Sequence, residues 1–65
     1  MATTGRTLRV ERLKSEVTVT ALAARMGLSR QSLWALERMA AVRPDRVELY
    51  RRSLRDVIGT TEDVA

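Results

Sequence analysis

Arg30 and Gln31 sit side by side directly after Ser29. These two side chain types can meet a base pair edge-on. An arginine fork pairs bidentately with guanine O6 and N7, and a glutamine amide with adenine N6 and N7. Other chemistry is missing from the chain. It has no Cys and no His, which excludes disulfides, zinc fingers of any pattern and His-based acid–base catalysis. Glu37 is the only acid expected to be buried, so no carboxylate pair suggests itself either. No enzymatic activity, metal, cofactor or small-molecule ligand is expected.

Charge points the same way as the arginine–glutamine pair. Twelve Lys and Arg oppose eight Asp and Glu, for a net charge of +4, and eleven of the twelve are Arg. A positive field of this kind attracts polyanions such as nucleic acid. The 65 residues suffice for one domain, close to the lower limit for a core that folds unaided. Apolar residues make up 45%, with no Phe, one Trp and one Tyr. Leu, Val, Ala and Met must therefore fill the core, which favours short packed helices over a sheet. No apolar run approaches the ~20 residues that cross a bilayer. The stretch MATTGRTLR lacks the apolar block of a signal peptide, so a cytoplasmic protein with no membrane contact is expected.

The elements that would position Arg30 and Gln31 follow from spacing and caps. Residues 1–5 are small and polar and are expected to form a disordered tail. Between Arg6 and Glu16, Val10, Leu13 and Val17 recur at helical spacing and predict an apolar stripe facing the core. Thr4 or Thr7 can cap that helix. The alternating Val17-Thr18-Val19-Thr20 reads as an extended connection, with Thr18 capping a helix from Thr20 to Met26. Gly27 suits a left-handed stop, and Ser29 caps the next helix, predicted over residues 30–39. After Pro44, Asp45 and Glu48 have the spacing of a capping box. The last helix should run to Ile58 and end at Gly59, with Leu49 on its outer face and residues 60–65 as a tail.

The stretch from Leu22 to Glu37 has the composition of a helix-turn-helix. A small residue stands where two helices would cross (Ala23) and a glycine in the turn (Gly27). Leu28, Leu33 and Leu36 would hold the second helix on the first. On these residues, and on GLSRQSLWALE in particular, the sequence resembles the phage repressor and Cro-type (XRE) helix-turn-helix regulators. The good match covers Thr18 to Glu37, under a third of the chain. The resemblance implies an all-α fold of four or five helices with the second helix of the motif in the major groove.

Carried over, it makes Arg30 and Gln31 the residues that reach base edges. Ala35 falls at a base-contact position, offering a methyl for thymine, and Trp34 lies one turn beyond Arg30, facing either the DNA or the last helix. Thr18, Thr20, Ser29 and Ser32 would contact phosphates, as would Arg38 and Arg43 just after the recognition helix. The family's buried Arg–Glu pair maps onto Arg12 and Glu37. The apolar stripe of Val10, Leu13 and Val17 instead turns Arg12 away from the core, so the two readings give helix 1 different registers. Val19 stands where relatives carry a polar residue. Arg38-Met39 replaces an expected Asn-Gly, which lengthens the predicted recognition helix.

The expectation is thus an all-α, λ-repressor-like single domain over residues 6–59. It would act as a sequence-specific regulator of double-stranded DNA, nucleoid-associated when bound. With little beyond Leu49 to build an interface, it is expected to be a monomer in solution that pairs only on DNA. Two alternatives use other chemistry or topology: a protein-binding antitoxin or anti-repressor on the same fold, and an excisionase or MerR-like domain. The latter is opposed by the helix before the motif and by the lack of a hairpin after it.

Overall fold

Three hydroxyls start three of the helices. Thr4, Thr18 and Ser29 hold extended backbone, and the side-chain oxygen of each accepts from the backbone N–H three residues on (Thr7, Ala21 and Ser32) at 3.1 Å. These caps satisfy donors that have no partner within the first turn of a helix. In a computed structural model that describes the backbone of residues 2–64 and the side chains of residues 2–59, they open α1 (Gly5–Lys14), α2 (Val19–Met26) and α3 (Arg30–Glu37); α4 spans Pro44–Val64. Among the described residues there is no strand, only an isolated bridge between Thr3 and Val42. The expected all-α architecture with a central helix-turn-helix is what the chain adopts.

The stops are as local as the starts. Gly27 takes φ 73°, its N–H donates to the Ala24 carbonyl, and Leu28 N–H reaches back to Ala23 at 2.8 Å. That six-to-one closure ends α2 and leaves three residues to α3. α1 closes by the same pattern, with Val17 N–H on the Arg12 carbonyl, but the left-handed residue is Glu16 at φ 58°.

The core is built from Leu8, Val17, Leu22, Ala23, Met26, Leu33, Leu36, Val42, Val47, Tyr50 and Leu54. α2 packs against both α3 and α4, and α1 contacts the same two helices. α3 is therefore seated on α1 and α2 with its outer face open. That arrangement is what a recognition helix requires.

Six expectations are corrected. Val10 and Leu13 are exposed, whereas Leu8 and Arg12 are buried; an ion-pair partner on α3, not the apolar stripe, sets the register of α1. The N-terminal segment is docked rather than loose: Thr3 accepts from Val42 N–H at 2.8 Å, and Gly5 N–H donates to Met39 O at 2.8 Å. α3 ends at Glu37, two residues short of the predicted Met39, with Arg38 as its C-cap.

α4 starts at Pro44, and Val47 N–H bonds the Arg43 carbonyl. Arg43 is thus its first acceptor, proline fills the position that needs no N–H, and Asp45 lies inside the first turn rather than at the cap. Gly59 does not stop this helix, which runs on to Val64. A glycine costs a helix about 1 kcal/mol but does not forbid it. Finally Leu49 is half-buried against the core, because α1 and α2 together cover a wide arc of α4. Of the expected terminal tails, Met1, Ala65 and the side chains from Thr60 onward lie outside the described residues.

Candidate nucleic-acid interface

At 3.6 residues per turn, the buried Leu33, Leu36 and Glu37 fix which way α3 faces. Gln31, Ala35 and Arg38 point most directly outward. Arg30 and Trp34 form the shoulder toward α1, and Ser32 the shoulder toward the start of α4. All of these are exposed. Trp34 keeps 46% of its surface open, an unusual state for a tryptophan in a folded domain.

The phosphate candidates divide by what their hydroxyls already do. The Thr18 and Ser29 oxygens accept from their helix N-termini, and Ser29 also shares a 3.0 Å hydrogen bond with Ser32. Each hydroxyl is exposed at a helix start, where free N–H groups and the helix dipole favour an anion. Thr20 is exposed on the first turn of α2. Arg43, in the α3–α4 loop, is exposed but pairs with Asp45 at 3.3 Å, so it carries a local counter-charge that Arg38 lacks. Arg46, given no role by sequence, lines a hollow with Ser32, Ala35 and Met39 beside the outer face of α3. Its closeness to α3 depends on where the loop turns back, which no local pattern reveals.

α3 is locked from behind. Arg12 Nε donates to Glu37 Oε2 at 2.8 Å and Nη2 to Oε1 at 3.1 Å, while Nη1 reaches the Val17 carbonyl at 3.0 Å. The Tyr50 hydroxyl, one proton between two acceptors, lies 2.7 Å from Glu37 Oε2 and 3.0 Å from the Leu8 carbonyl. Thus α1, α3 and α4 meet on one carboxylate. The hydrogen bonds to the Glu37 carboxylate, and to a lesser degree its charge, hold the Arg12 guanidinium above its ordinary range. Burial, reinforced by the neighbouring carboxylate, pushes the Tyr50 phenol up as well. Among the described residues no buried side-chain polar atom lacks a partner, so this network is complete and rigid.

Among the described residues, cations without an ion-pair partner gather around α3, although Lys14, Arg52 and Arg55 lack one elsewhere. Arg25 bonds Asp56 at 3.2 Å, and Arg51 forms a two-pronged pair with Glu11 at 2.7 and 3.1 Å. Both pairs tie α4 to its neighbours. Around α3, by contrast, Arg6, Arg9, Arg30, Arg38 and Arg46 have no ion-pair partner among the described residues. Glu37, which lines a hollow with Arg6, Arg9 and Arg38, is buried and already neutralised by Arg12. The arrangement can therefore hold a polyanion along α3. Among the described residues it offers no cluster of acids able to hold a metal, and no helix is long and apolar enough to cross a membrane.

Comparison with known proteins adds nothing to this geometry: no protein family, no curated protein and no solved structure matches the chain.

Proposed function

We propose that this chain is a sequence-specific double-stranded DNA-binding regulator that lays α3 in the major groove. One observation carries the reading. The outer face and α1-side shoulder of α3 present Arg30, Gln31, Trp34, Ala35 and Arg38 together, while Arg6, Arg9, Arg30, Arg38 and Arg46 around them have no ion-pair partner among the described residues. Arg30 and Gln31 are the base readers, Ala35 supplies a methyl for a thymine, and Arg38, Ser29, Ser32, Thr18 and Thr20 position the backbone. The likeness of GLSRQSLWALE to phage repressor and Cro-type regulators supports the same roles. The protein is a cytoplasmic monomer in free solution under this proposal, and two copies meet only on a symmetric operator, where adjacency raises their effective concentration.

Selection of bound sequences from a random duplex pool, repeated with Arg30→Ala, tests it. Wild type should enrich a defined site. Arg30→Ala should lose about 1–3 kcal/mol on that site and relax preference at a single base pair, a G·C pair by the chemistry of arginine. Enrichment of no sequence by wild type would refute sequence-specific recognition.

A further inference from the structure

Trp34 does not stand alone on its shoulder of α3. It forms one wall of a cleft of about 330 Å³ that is also lined by Arg9, Arg38, Arg12 and Glu37. Gly5 and Arg12 are among the residues by which α1 touches α3, and Arg9 sits on the same side of α1, a shoulder away from both. Sequence gives Arg9 no distinction from an ordinary surface charge. In the fold it is brought across to the C-terminal end of the recognition helix.

The charges in this cleft are unequal in kind. Arg12 and Glu37 form its floor and cancel each other through two hydrogen bonds. Arg9 and Arg38 are exposed and have no ion-pair partner among the described residues. Two free guanidinium groups beside an open indole make a site for an anion joined to a flat or apolar group: the forks bind oxygens, and the ring covers what carries them. The next hollow along the same edge is lined by Arg6, Arg9 and Arg38 with Thr4, Met39, Ala40 and the buried, Arg12-paired Glu37, so the positive band continues along the surface. A continuous band suits a continuous polyanion better than a single small anion.

We infer that the cleft between α1 and α3, walled by Arg9, Arg38 and Trp34, seats a backbone phosphate and its sugar, so that α1 grips the duplex together with the helix-turn-helix. The inference rests on the DNA-binding reading above and extends the interface to a helix outside the motif. Arg9 carries no sequence information in this role. It positions the duplex on the α1 side of α3.

The test is the salt dependence of duplex binding by wild type, Arg9→Ala, Arg9→Lys and Arg52→Ala, followed by the emission of Trp34, the chain's one tryptophan. Arg52 is exposed on α4, has no ion-pair partner among the described residues and serves as the control for net charge. Arg9→Ala should weaken binding to specific and random duplexes alike, by about threefold to tenfold. It should also reduce the slope of log K against log salt by about 0.9, the value of one phosphate contact. Arg9→Lys should restore most of the slope, and Arg52→Ala should leave it unchanged.

Duplex binding by wild type with no change of slope in Arg9→Ala overturns this inference and leaves the DNA-binding reading intact. Failure of wild type to bind duplex overturns both. A response of Trp34 to inorganic phosphate or a free nucleotide as strong as its response to duplex assigns the cleft to small anions and overturns the backbone role. Because Arg9 is exposed, its variants should melt with wild type, which separates loss of binding from loss of fold.

Discussion

Glu37 shows how one side chain can matter more to the fold than its type suggests. Its carboxylate takes two hydrogen bonds from Arg12 and faces the Tyr50 hydroxyl. Removing only its charge leaves the Arg12 guanidinium buried without a counter-ion, and breaking a buried pair in this way costs about 3–5 kcal/mol. Glu37→Gln should therefore lower the unfolding free energy by that order. Glu11→Gln, which breaks the more exposed pair with Arg51, should cost less than about 1 kcal/mol. Denaturant unfolding of the two variants checks the order; equal losses would mean that the buried pair is not what fixes α3. The residues of the proposed site were legible at this scale, because arginine, glutamine and serine advertise their hydrogen bonds. Arg9 and Arg46 were not, because an exposed arginine reads the same wherever the fold carries it.

Among the elements, the α2–turn–α3 unit was legible because its signals are local. Thr18 and Ser29 cap their helices, and Gly27 takes the positive φ that a glycine in that place suggests. α1 was harder. Val10 and Leu13 gave a cleaner apolar rhythm than Leu8 and Arg12, but an arginine can be buried once a carboxylate 25 residues away answers it. Only the resemblance to repressor-type regulators, not the periodicity, pointed to that pair. The docked N-terminal segment was likewise invisible, since its bonds run to Met39 and Val42.

Gly5 gives that docking a sharp test. A Cβ there would fall 2.7 Å from the Glu37 carbonyl oxygen and closer still to that of Leu36, so the backbone ends of α1 and α3 would have to part. At Gly27 there is open space for a Cβ and only the left-handed backbone resists it. Gly27→Ala should cost about 1–2 kcal/mol from that conformation alone. Gly5→Ala should cost at least as much by overpacking, and should also loosen amide-exchange protection at Gly5 and Val42. Unchanged protection there would contradict the close approach.

For the molecule as a whole, the distribution of charge matters more than its sum. The net +4 was plain from composition, but not that Glu11 and Asp56 are spent on pairs with α4 or its neighbours while Arg6, Arg9, Arg30, Arg38 and Arg46 around α3 have no ion-pair partner among the described residues. Composition cannot assign charges to faces; the packing of α1 and α2 beneath α3 does. The most direct measurement of the central proposal is the affinity of the intact protein for duplex DNA as salt is raised. Contact with about four to six phosphates predicts a fall in log K with a slope near −4 to −5 against log salt. No measurable binding even at low salt, or an affinity indifferent to salt, would contradict the proposal that this face of α3 is built for DNA.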